Sequence, residues 1–155
     1  MNRTPFKHRR RQKSISSLKK KLWPLFSEFI RKRDCLLTTG LKDYGKCITC
    51  QKTIPRTLLQ AGHFIPGRHN VNLFSERGTH AQCYNCNINL KGNTLIYRRK
   101  IVEMYGKGYD EILERENKKI LQYKPPQLEA MIEIYKNKIK ELESNSNKQE
   151  ALCPK

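Results

Sequence analysis

Four of the six cysteines form two C-x-x-C pairs, Cys47-Ile48-Thr49-Cys50 and Cys83-Tyr84-Asn85-Cys86. Two residues between thiolates let both sulfurs of a knuckle reach one tetrahedral Zn²⁺ at about 2.3 Å. A single pair also serves redox chemistry, whereas two pairs in a basic chain point to structural zinc. A pair of disulfides is the competing reading, and a reducing cytosol disfavours it. Four thiolates fill the shell of the metal, so this zinc is expected to be closed and structural. Cys35 and Cys153 are left over and read as free thiols. The chain has 155 residues and is 37% hydrophobic, enough for a modest core. A core of that size gains from a metal staple.

The formal net charge is +18. A charge this large repels itself unless it meets a polyanion. Neutralising phosphates releases condensed counterions, so binding to DNA or RNA should depend strongly on salt. A membrane surface would call for a basic amphipathic helix, and the densest basic run, Lys7 to Lys13, has no apolar face. No apolar run is long enough to span a bilayer, and Met1 to Lys21 is too polar for a secretory signal.

Residues 1–20 read as a basic flexible arm, with Arg9, Arg10 and Arg11 as phosphate contacts. Residues 21–110 are expected to form the zinc-stapled core, 111–143 a helical extension and 144–155 a polar tail. Within the core, Leu22, Trp23, Phe26 and Phe29 predict a helix over 23–34 with Pro24 in its first turn. Leu58 to Ile65 reads as a strand delivering His63, and Pro66 to Gly78 as a long polar loop. A helix should begin at the second knuckle, with Gly92-Asn93 ending or bending it. Thr94 to Tyr105 reads as a further helix, with Tyr97, Ile101 and Tyr105 on one face. Asp110 is placed to cap a helix through about Tyr123. Leu128, Ile132, Tyr135, Ile139 and Leu142 predict the buried stripe of a last helix opened by Pro125-Pro126.

The segment between the two knuckles exceeds the x₁₅₋₂₀ spacing of compact zinc modules. It carries His63, His69 and His80, three of the four histidines, among Arg56, Arg68 and Arg77. A histidine there is by default a core or surface residue. Together they match what phosphodiester hydrolysis needs: a base to activate water and a divalent cation to stabilise charge on the phosphoryl oxygens. Imidazole near neutral pH supplies the base. Imidazole, an amide oxygen or a carboxylate can hold the cation. Arg68 and Lys91 read as phosphate contacts, and most other Lys and Arg as backbone contacts or solvated charge.

Ala61-Gly62-His63-Phe64-Ile65-Pro66, Arg68-His69-Asn70, Thr79-His80-Ala81-Gln82-Cys83 through Asn87, and Leu90-Lys91-Gly92-Asn93 together resemble the NinG (Rap) family of lambdoid phages. The stretch Leu22 to Arg31 is similar to the family's segment upstream of the first knuckle. The resemblance spans roughly residues 20–110, and only the combined motif is specific. It implies a recombination endonuclease acting on branched DNA such as Holliday junctions and D-loops. The implied fold is α+β: a small ββα-metal (HNH, treble-clef) zinc-stapled core with flanking helices. By position His63 matches the general base, and Asn87 the third HNH residue, which reaches a catalytic Mg²⁺ or Mn²⁺. His80 is a candidate catalytic residue and ligand of that ion, and His69 a DNA contact. Two positions depart from the HNH pattern. Gly62 stands where many members carry a metal-binding Asp or His, with His80, His69 and Glu76 as the available substitutes. Gly78 stands where an Asn ties the loop.

The resemblance further implies action in the bacterial cytoplasm at the nucleoid, beside phage or host recombination proteins. A homodimer is one way to supply two active sites to a junction, and the C-terminal helix could pair protomers. The competing reading is a non-catalytic zinc module that binds DNA or RNA, which Gly62 and Gly78 favour.

Overall fold

A computed structural model describes residues 14–67 and 70–152. Its first helix, α1, runs Ile15–Thr39, longer at both ends than the helix read from the sequence. Ser14 caps it, its hydroxyl accepting the Ser17 N–H at 3.2 Å. The apolar stripe then gains Leu18 ahead of Leu22, Phe26, Phe29 and Ile30, all buried. That stripe keeps one face inward at helical spacing and carries the helix through Pro24. Pro24 therefore sits in the helix interior, where its missing N–H leaves the Lys20 carbonyl without its usual donor. Gly40 ends the helix in the left-handed region at φ 72°, its N–H returning to the Leu36 carbonyl.

Two small antiparallel sheets follow, making the protein α+β. Strands β1 (Tyr44–Lys46) and β2 (Thr53–Pro55) flank the first knuckle. Strands β3 (Leu59–His63) and β4 (Thr79–Cys83) pair with Gly62 opposite His80 and His63 opposite Thr79. Strand β4 was not apparent in the sequence, because three of its five residues are polar and yet buried. Thr79, His80 and Gln82 are each at most 1% exposed. Period-two reading rests on one wet face, and this strand has none.

The second knuckle ends in a tight helical turn, Asn85–Asn89, closed by the Leu90 N–H on the Asn85 carbonyl. Helix α2 occupies Thr94–Tyr105 as expected. Helix α3 is Tyr109–Asn117, shorter than expected at its far end. Asp110 lies in its first turn, after Gly108 at the cap, and accepts from Arg98 at 2.5 Å. The chain then leaves the helix and buries Tyr123 with Phe74 in the main core. Helix α4 spans Pro125–Leu152, continuing into the segment expected to be a polar tail.

The main core joins α1 to α4, with Leu128, Ile132 and Tyr135 against Leu22, Phe26 and Phe29. The C-terminal stripe is thus a core face. Phe26 packs edge-on to both Phe74 and Tyr135. A Phe26→Ala change would cost about 3–5 kcal/mol by opening a cavity there. Phe64, Tyr97, Ile101 and Leu113 form a second cluster. Cys35, Leu59 and Ala81 form a third, where α1 crosses the β3–β4 hairpin.

Candidate metal centre and adjoining cavity

The sulfurs of Cys47, Cys50, Cys83 and Cys86 all lie within 4.8 Å of one another. Each knuckle is set by local backbone. The Cys47 carbonyl accepts the Gln51 N–H while the Cys47 N–H donates to the Lys52 carbonyl. In the second knuckle the Cys86 N–H points at Cys83 Sγ, 3.5 Å away. Burial pushes the Cys47 thiol up, but the Thr49 hydroxyl and the backbone N–H groups of the two knuckles outweigh it and bring it down to about 7. A thiol ready to ionise among three others is the donor set a tetrahedral zinc takes. Cys35 stands apart: it is buried, and desolvation raises it to about 11, as for an inert core thiol.

Beside this cluster lies an open cavity of about 270 Å³. Ala61 and His63 of β3 line it, with Pro66 and Gly67 from the loop and Asn87, Ile88 and Lys91 from the second knuckle. Lys91, Gly92 and Asn93 are consecutive left-handed residues, at φ 48°, 89° and 47°. This turn carries the chain from the knuckle into α2 and sets Lys91 on the cavity wall. It also lets the Gly92 N–H reach the carbonyls of Cys86 and Asn87, both at 3.0 Å.

Leu73 and Trp23 both contact the His63 ring. Nε2 lies 3.2 Å from the Leu73 carbonyl, which can only accept. Nε2 therefore carries the proton of that bond. The opposite support is Trp23, whose ring stacks on the imidazole. Asn87 donates from Nδ2 to Gln60 Oε1 at 2.8 Å.

His80, expected at the site as a ligand, lies elsewhere. It points into the protein, 1% exposed, and takes no part in the cavity. Nδ1 lies 3.3 Å from Asp34 Oδ2 and 3.1 Å from the Arg33 guanidinium, and Nε2 lies 3.1 Å from the Tyr105 hydroxyl. With both nitrogens engaged it cannot serve as a ligand or phosphate contact. Arg33 extends the network to the carbonyls of Glu76 and Thr79. Glu76, another substitute ligand, instead bonds Tyr135 and Lys138. Arg9, Arg10, Arg11, Arg68 and His69 lie outside the described residues.

The loop is tied by a residue other than the one at position 78. Asn72, 4% exposed, donates to the carbonyls of Ile65 at 2.5 Å and Gly67 at 2.9 Å. Gly78 contributes only backbone, accepting from Phe64 and donating to the Ser75 hydroxyl. At Gly62, a Cβ would fall 2.0 Å from Gln82 Oε1 and 3.0 Å from Asn87 Oδ1. The Gln82 side chain already fills that place. Gln82 is buried although Gln is mostly a surface residue.

A family model described as Bacteriophage Lambda NinG protein matches residues 1–145. The chain belongs to the NinG family. Searches of curated proteins and of solved structures gave no match. Among the described residues of this NinG-family chain, no helix is long and apolar enough to cross a membrane.

Proposed function

We propose that this NinG-family protein is a metal-dependent DNA endonuclease of the HNH type, acting in recombination on branched DNA. The observation that carries the reading is the shared cavity: His63, Asn87 and Lys91 line one open space beside a cluster of four cysteines. The cysteines would hold a structural Zn²⁺ that fixes β1–β2 and the Asn85–Asn89 turn relative to one another. His63 accepts a proton from water at Nδ1, its Nε2–H anchored on the Leu73 carbonyl. The resulting hydroxide attacks phosphorus, the bond to the 3′-oxygen breaks, and that oxygen takes a proton from solvent, leaving 5′-phosphate and 3′-hydroxyl ends. Lys91 offers its ammonium to a phosphoryl oxygen. Asn87 supplies an amide oxygen suited to Mg²⁺ or Mn²⁺. Such a cation, when bound, stabilises charge on the phosphoryl and leaving oxygens.

The net charge of +18 supports a polyanionic substrate. Lys19 and Lys20 line a neighbouring groove of about 520 Å³ together with Trp23 and Leu73, both of which contact His63. A DNA strand lying there would pass the base. The reading carries with it action on DNA in the bacterial cytoplasm, at the nucleoid, beside other recombination proteins. Nicking of linear, flap and four-way substrates with Mg²⁺ or Mn²⁺ tests it. A His63→Ala protein that still cleaves would reject the base. Gly62 favours a second reading, a zinc module that binds branched DNA without cutting, and tight binding with no cleavage in any divalent metal would establish it.

A further inference from the structure

Gln82 is wholly buried and its amide has one permitted orientation. Nε2 lies 2.9 Å from the Gly92 carbonyl, which can only accept, so the nitrogen belongs there. The second N–H faces the Thr49 hydroxyl at 3.4 Å. Oε1 is consequently turned toward Gly62, where it is buried with no hydrogen-bond donor. Leaving such an oxygen unsatisfied is costly, and each case calls for an explanation.

The second oxygen at this point belongs to Asn87. Its Nδ2 is committed to Gln60, so Oδ1 faces the same Gly62 Cα. Measured from the position a Gly62 Cβ would take, the two oxygens lie at 2.0 and 3.0 Å, hence at most about 5 Å apart. The Gln82 oxygen has no donor and the Asn87 oxygen lies near it, so the spot favours something positive. Carbonyl oxygens are hard donors, matched to Mg²⁺ and Mn²⁺ and poorly matched to zinc. Asn87 also lines the open cavity, so an ion held here would have a route to solvent and phosphate.

We propose that Gln82 Oε1, reaching across from β4, takes the place of the acidic ligand absent at Gly62 and binds the divalent cation jointly with Asn87 Oδ1. The inference rests on the endonuclease reading. Gly62 is then required because any side chain there would expel the Gln82 oxygen. The cation is held by neutral amides, so affinity should be low and sensitive to added charge.

The test is Mn²⁺ titration of the zinc-loaded full chain, followed by electron paramagnetic resonance, with zinc content and thermal melting as folding controls. Wild type should bind one Mn²⁺. Gln82→Met, which removes the oxygen at similar volume, should weaken binding at least about tenfold, and Asn87→Asp should tighten it. A measurement on unmodified protein covers a variant that does not fold: Mn²⁺ should broaden the side-chain NH₂ resonances of Gln82 and Asn87 first. A folded Gln82→Met protein with wild-type Mn²⁺ affinity overturns the proposal, as does a bound Mn²⁺ that leaves the Gln82 resonances sharp. In either case continued nicking by wild type would leave the endonuclease reading standing. Wild type that binds no Mn²⁺ overturns both, and the gap between the oxygens then holds water alone.

Discussion

The imidazole of His63 stacks on the indole of Trp23, with ring centroids 5.5 Å apart and planes 20° from parallel. Trp23 comes from α1 and His63 from β3, so the face of the proposed base is set by a helix remote from it in sequence. Trp23→Leu should lower the rate of cleavage by roughly 10- to 100-fold through lost orientation of the ring. Trp23→Phe, which keeps an aromatic face, should recover most of it. Zinc content should be unchanged in both. Equal activity of the Leu variant and wild type in single-turnover nicking would show that the stack has no positioning role.

One zinc per chain is expected, and its removal should be felt mainly in the knuckles. Structural zinc contributes apparent binding free energy of about 10 kcal/mol or more at neutral pH in small modules. Cys50→Ser or Cys83→Ser should abolish stoichiometric zinc in metal analysis and lower the melting temperature. Cys35→Ser should keep the zinc, because Cys35 packs with Leu59 and Ala81 away from the cluster. Zinc lost from Cys35→Ser and kept in Cys50→Ser would reverse the assignment.

Asp34 gives the protein an acid limb of stability. Burial opposes its ionisation, but the hydrogen bond from His80 and the charge of Arg33 win, holding the carboxyl below its usual 3.8. Its folded pKa lies under the unfolded one, so the contribution is whole above about pH 4 and drains as pH falls through the depressed value. The carboxylate also accepts the Ala81 N–H at 2.6 Å, joining α1 to β4. Asp34→Ala should cost about 3–5 kcal/mol at pH 7, because the partly buried Arg33 loses its counter-charge and the Ala81 N–H its acceptor. Urea midpoints of the two proteins should converge toward pH 2. A difference that does not change with pH would mean that packing, and not charge, carries the effect.

Asn72 takes the loop-tying task that the HNH pattern gives to position 78. Asn72→Ala removes two hydrogen bonds from its amide, worth about 1–3 kcal/mol together. The loss should fall on the segment after β3, read as faster amide exchange at Asn72 and its neighbours, with the zinc knuckles unaffected. Uniform destabilisation of the whole chain would argue against a local role.

The N-terminal arm should act through salt. Residues 1–13 carry six basic groups: Arg3, Lys7, Arg9, Arg10, Arg11 and Lys13. Deleting them should weaken DNA binding and reduce the slope of log K against log salt by up to about five. The cut belongs before Ser14, since removal through residue 21 would also take the helix cap and the buried Leu18. An unchanged slope would mean that the arm does not touch the backbone.

The cysteine cluster was legible from spacing alone, because two residues between thiolates fix the geometry of each knuckle within one turn of chain. Helix α2 and the buried stripe of α4 were legible for a similar reason: their apolar residues recur at helical period on a single face. His80 and Gln82 were not. Their roles depend on β4 being covered on both sides, so that one meets Asp34 and Tyr105 and the other meets Gly92 and Gly62. Asn72 is one polar residue of a polar loop in the sequence, and only folding brings the Ile65 and Gly67 carbonyls to it. Periodicity records what each short segment prefers, whereas a buried polar side chain takes its role from partners that only the folded chain assembles.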